Sequence, residues 1–249
     1  MLNGSSFWSN PKMFWLRATS FCNKKYRPVQ QFNRPEPARP LAAQLFRMDE
    51  SFQMAGRNRW DEEVRRLVQS PFRLRFELGE NSLSNVTQTV PRFIQALDRA
   101  RNVAEAVFLD SAIVAVVGSS ATKTKGDDFR TLRDLGFTAP MIGEWHAPRY
   151  LGDGVCLWKC FDIGADRRHR DTLLWCSVSA EMLVAPKVPV TTDLLEPARR
   201  IMLHVYDDRG MDVSAILPDA LTETYVAWDR WLLDYDRPRM AKVFELGKA

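Results

Sequence analysis

The run Asp207-Asp208-Arg209-Gly210-Met211-Asp212 places three carboxylates and one guanidinium within six residues. Acidic groups this close can hold a divalent cation or share acid and base work. The same residues also satisfy a turn. Asp at the first position and Gly at the fourth are what a type I turn prefers, and Gly210 is free to take the left-handed conformation that re-aligns two strands. Turn chemistry therefore accounts for Asp207 and Gly210 and leaves Arg209 without a structural task. A second pair, Arg75 and Glu77, stands on the polar side of an alternating segment. Under a second layer it becomes a buried ion pair; otherwise it belongs to an exposed face. The candidate functional residues are thus Arg75, Glu77, Asp207, Asp208, Arg209 and Asp212.

Other chemistries find less support. Cys156 and Cys160 are four apart, which suits metal binding on a helix face. Their segment reads as a strand, where such residues lie ~13 Å from each other. His169, Cys176 and His204 supply no second half of a metal site, so neither metal nor cofactor is expected. No Gly-x-Ser-x-Gly occurs. His146 reads as a loop residue near Glu144 and His204 as a strand residue, and a surface or structural role is the plainer reading of each. Gly152-Asp153-Gly154 precedes a strand, so it lacks the helix N-terminus that would hold a phosphate.

The elements that must position these residues follow from periodicity. Trp60, Val64, Leu67 and Val68 share a helical face, which predicts a helix over Arg59–Gln69. Arg73–Leu78 alternates as a half-buried strand, closed by Gly79-Glu80-Asn81. Pro91–Phe108 carries the apolar stripe of a second helix. Ala112–Val117 is strand-sized, and a polar loop, Gly118–Gly126, leads to a short helix capped by Asp127. Val155–Ile163 and Thr172–Ala180 read as two antiparallel strands joined by the charged turn Gly164–Asp171, with Trp158 and Trp175 on one face. Lys187–Leu195 has no clear pattern. Ile201–Ile216 reads as a β-hairpin around the Asp207–Gly210 turn. From Pro218, the stripe Leu221, Tyr225, Trp228, Leu232, Tyr235 predicts a helix, with a last short one over Arg239–Leu246. Helices intervene early and strands crowd late, which predicts an α+β fold: a mainly antiparallel sheet with helices packed on one face.

Residues 1–47 differ in texture. Pro28, Pro35, Pro37 and Pro40 crowd a stretch without periodicity, and no acidic residue occurs before Glu36. This segment reads as a disordered or extended basic tail, with a single α+β domain over 48–249. It is open to three readings: a targeting peptide, a binding arm, or sequence upstream of a true start at Met48 or Met54. The whole chain has 249 residues, 45% of them hydrophobic, and a net charge of only +4. That charge is too weak to argue for nucleic acid or an anionic membrane, even with Trp8, Phe14, Trp15 and Tyr26 interleaved in the tail. No run approaches the ~20 apolar residues of a membrane span. The cysteines lie in apolar contexts, which suits a reducing compartment and a cytoplasmic location.

Two segments, Arg73-Leu74-Arg75-Phe76-Glu77-Leu78 and His204 through Val213, resemble an uncharacterised bacterial family, the domain-of-unknown-function family numbered 3885. That family has an early Arg-Phe-Glu-Leu strand, a late Tyr-Asp-Asp-Arg-Gly-hydrophobic-Asp hairpin and an aromatic helix, matched here by Tyr225-Val226-Ala227-Trp228 through Leu232. The resemblance spans about Trp60 to Phe244. It implies a bacterial cytoplasmic protein without an established activity. Small families of this type are often encoded beside secreted toxins, which suggests a non-enzymatic protein-binding, immunity or accessory protein with a protein partner. In that reading Trp145, Trp158, Trp175 and Trp231 offer anchors. The alternative is a hydrolase-type enzyme whose acidic and Arg residues at Asp207–Asp212 converge with Arg75 or Glu77 in one pocket.

Overall fold

A computed structural model describes residues 59–80, 88–120, 128–149 and 155–244. The tail, Asp127, and the Gly152–Gly154 segment lie outside them. The described elements are α1 (Arg59–Val68), β1 (Arg73–Glu77), α2 (Thr89–Phe108), β2 (Ile113–Ser120), α3 (Asp128–Asp134), β3 (Met141–Pro148), β4 (Val155–Gly164), α4 (Arg167–Ser179), β5 (Val190–Glu196), β6 (Ile201–Val205), β7 (Gly210–Ala215), α5 (Asp219–Ala227) and α6 (Arg237–Phe244). Among the described residues the seven strands form one sheet in the order β1-β7-β6-β5-β2-β4-β3. Every pairing is antiparallel. The fold is α+β, as the element order predicts. No described helix is long and apolar enough to cross a membrane.

Strand alternation divides the side chains between two faces. On one, Leu74, Phe76, Ala115, Val117, Leu203, Met211 and Val213 pack under α2, α4 and α5 in the larger core. On the other, α1 lays Trp60, Val64 and Leu67 over Val114, Val116, Trp158, Cys160, Leu195 and Met202. Helices thus cover one face broadly, and α1 covers part of the second. The rest of that second face carries polar residues, among them Arg73, Arg75, Asp193, His204 and Asp212.

The two edge strands differ. Among the described residues β3 pairs only with β4. At the opposite edge, the outward carbonyls of β1 are occupied. Arg239 Nη2 donates to Arg73 O at 3.2 Å, Leu233 N to Arg75 O at 2.8 Å, and Arg99 Nη1 to Glu77 O at 3.2 Å. Phe76 and Leu232 form a bridge there.

Several expectations are corrected. Thr172–Ala180 is not a strand but most of α4. Asp166 caps that helix by accepting from Arg168 N at 2.8 Å, so the supposed charged turn supplies its first turn. Leu173, Leu174, Cys176, Ser177 and Val178 are all buried, so the helix has a broad inner face whose sequence lacks a clear 3.6 period. Trp158 and Trp175 consequently lie on opposite sides of the sheet. His146 is in β3 opposite Leu157, not in a loop. β2 runs on to Ser120. The undecided Lys187–Leu195 segment contains the start of β5. The predicted long C-terminal helix ends at Ala227, followed by two single 3₁₀ turns that bring Leu232 to β1.

The hairpin forms as expected, with Tyr206 N donating to Gly210 O at 3.1 Å. Asp207 Oδ1 accepts from Arg209 N at 2.7 Å, which is an Asx turn. Gly210 is needed for a reason other than the one expected. It is not among the glycines with positive φ, but a Cβ there would sit 3.0 Å from Phe76 O.

Candidate functional site

Four ionisable side chains stand directly opposite one another across four adjacent strands. Arg75 on β1 faces Asp212 on β7, Asp212 faces His204 on β6, and His204 faces Asp193 on β5. Their shared face follows from strand parity, and their order alternates cation and anion, the favourable arrangement for cross-strand neighbours. The next partner along the row is Val116, where the apolar part of the face begins.

The contacts are close. Arg75 Nε donates to Asp212 Oδ1 at 3.0 Å, and its Nη1 lies 3.1 Å from Asp236 Oδ2. Arg73 Nη1 is 3.5 Å from Asp212 Oδ2. At the other end His204 Nδ1 bonds Asp193 Oδ1 at 2.8 Å. Asp193 is only 1% exposed, and its second oxygen, Oδ2, is buried without a hydrogen bond. The Tyr206 hydroxyl is likewise buried and unbonded. Buried acceptors and donors in this state are uncommon and call for a partner.

Burial alone disfavours an imidazolium at His204. The charge and hydrogen bond of Asp193, the charge of Asp212 and the Thr192 carbonyl outweigh it, so the pKa stands above the ordinary histidine value. Burial, reinforced by Asp212, pushes the Tyr206 phenol up and keeps it neutral. The hydrogen bond to Asp212 more than offsets burial at Arg75 and holds it cationic.

A cavity of about 200 Å³ opens at this end of the row. Asp193, His204 and Tyr206 border it, with Trp158 from β4, Val68 from the end of α1, and Arg149 just after β3. The arrangement can exchange a proton at His204 and hold its imidazole in one orientation through Asp193.

Of the residues singled out from sequence, Arg75 and Asp212 meet in this row. Glu77 stands on the same side of β1 as Arg75, but its side chain forms no ion pair among the described residues. The turn residues bond elsewhere. Asp207 is buried and bound by Arg209, whose Nε donates to Oδ2 at 2.9 Å. Arg209, with its side chain 67% exposed, also approaches Glu181. Asp208 pairs with the buried Arg92 of α2, which donates its Nη1 to Glu80 O at 2.6 Å as well. Arg209 therefore does have a structural task, and the turn is anchored toward the helical layer. Among the four tryptophans, Trp158 is fully buried. Trp145, Trp175 and Trp231 are half-buried, and the indole N–H groups of Trp145 and Trp175 donate to Asp61 and to Pro186 O.

Asp193 and His204 are what sequence reasoning missed as a pair. The available signal was parity: His204 interrupts Ile201–Val205 at a position on the same side as Met202, inside an otherwise apolar strand.

Fold and site together define a class: an α+β protein with an antiparallel sheet that carries a half-enclosed row of ionisable groups on its less covered face. Residues 48–236 match the family model described as a domain of unknown function, DUF3885, and the chain belongs to that family. No curated protein and no solved structure matches the chain.

Proposed function

We propose that the protein binds a small polar molecule in the His204 cavity and acts on it by acid–base chemistry of the hydrolase type. The observation that carries this reading is the Asp193–His204 pair at 2.8 Å on the cavity wall. A carboxylate on Nδ1 fixes the tautomer and stabilises the imidazolium. In hydrolysis, Nε2 gives its proton to the leaving oxygen as that bond breaks and water bonds to the substrate in its place. The neutral imidazole then takes a proton from the attacking water, and the starting state returns. The site lies in the Arg75–Asp212 row rather than in the Asp207–Arg209 turn.

Turnover of p-nitrophenyl acetate and p-nitrophenyl phosphate tests the proposal. His204→Gln should lower the rate about 10²–10⁴-fold. Asp193→Asn should lower it less and move the alkaline limb of the pH–rate profile to lower pH, because Asp193 raises the His204 pKa. A folded His204→Gln protein that hydrolyses both esters as fast as wild type would sink the reading, as would wild-type turnover no faster than buffer.

A second reading keeps a protein partner, with immunity to a toxin as its bacterial form. Its support is the Trp228–Trp231 stack, with ring centroids 4.6 Å apart, close in sequence to Tyr235, which is 87% exposed. Replacing Trp231 and Tyr235 together by Ala should abolish capture of a specific partner from the native host. Undiminished capture of the same partner would end this reading.

A further inference from the structure

The cations around the row are not equivalent. Arg75 has Asp212 and Asp236, Arg73 has Asp212, Arg239 has Asp236 at 3.7 Å, and His204 has Asp193. Arg149 borders the same cavity and forms no ion pair among the described residues. Its side-chain hydrogen bond runs from Nε to Cys156 Sγ at 3.4 Å, and sulfur is a weak acceptor. A guanidinium carries five N–H donors in a fork that matches carboxylate or phosphate oxygens. A half-buried one without a counter-ion among the described residues, beside the His204 imidazole and the Tyr206 ring, makes an oxyanion receptor.

We propose that the cavity takes a small ligand with a carboxylate or phosphate group, gripped by Arg149 with His204 beside it. This rests on the reading of the His204 cavity as the working site and names its substrate class. The cavity is below the ~300–1,000 Å³ usual for drug-sized ligands, so the ligand is a small metabolite and not a macromolecule. Asp193 Oδ2 adds a demand of its own. A hydroxyl or amino hydrogen on the same ligand satisfies it, so a hydroxy acid or a sugar phosphate fits better than a bare anion.

The test uses the full chain at constant ionic strength, titrated with inorganic phosphate, acetate and glycolate, with tryptophan fluorescence as the readout because Trp158 lines the cavity. At least one anion should saturate, and which one saturates separates phosphate from carboxylate. Glycolate, with its added hydroxyl, should bind more tightly than acetate. Arg149→Gln should weaken binding about tenfold or more. Arg149→Lys, which keeps the charge without the fork, should fall between. Arg130→Gln, at an exposed position on α3, should bind as wild type does. Thermal melts of each variant establish that it is folded. Absence of saturation, or equal affinity in Arg149→Gln and wild type, overturns the inference. The two proposals fail separately. Turnover that needs His204 alongside binding indifferent to Arg149 retains the acid–base reading and removes this one. Binding that needs Arg149 without ester turnover does the reverse.

Discussion

At His204, burial and electrostatics pull in opposite directions, and the carboxylates win. A folded-state pKa above the ordinary value of about 6.5 has a defined consequence for stability. The contribution of the imidazolium is complete below that value and is lost as pH rises through the folded-state pKa. The melting temperature should therefore decline on the alkaline side of pH ~6.5, and His204→Gln should flatten that part of the curve. A second contrast separates the two arginines that serve the hairpin turn. Arg92 is buried with Asp208, and Arg92→Met leaves an unpaired buried carboxylate, a loss of about 3–5 kcal/mol. Arg209 is mostly exposed, and Arg209→Ala should cost at most ~1 kcal/mol in urea unfolding. The sequence draws attention to Arg209 because the partner that explains it, Asp207, is itself claimed by the turn. Arg75 and Asp212 were legible because alternation alone gives their face. Asp193 and His204 were not, since their juxtaposition depends on the β5–β6 register, and β5 has no readable alternation.

Among the elements, β2 and β4 meet at the closest tolerance in the described structure. Gly118 lies under the Trp158 ring, and a Cβ on it would stand 2.6–2.8 Å from three ring carbons. A side chain there must push Trp158, which is fully buried and also forms a cavity wall. Gly118→Ala should cost about 1–3 kcal/mol in denaturant unfolding and should weaken glycolate binding through the displaced ring. Elements with one clean stripe, such as α1 and β1, were readable because half of each faces water. Helix α4 was not, because its inner face is wide and its aromatic and β-branched residues suit a strand equally well. The C-terminal helix was overextended because Trp228, Trp231 and Leu232 keep helical spacing while the chain turns through 3₁₀ geometry to reach β1.

For the whole molecule, the α+β class and the family were legible, and the family match runs over residues 48–236. Removal of residues 1–47 should shift the melting temperature by less than ~2 °C, and a larger fall in a thermal scan would show that the tail belongs to the folded unit. The sheet itself has two unlike ends. Side chains and backbone from Arg99, Leu233 and Arg239 already occupy the outward carbonyls of β1, whereas β3 pairs on one side only. Among the described elements, edge-to-edge association can therefore proceed through β3. A second copy joining there would bring its own occupied β1 to the far end, so such assembly stops at a pair and does not propagate into a fibre.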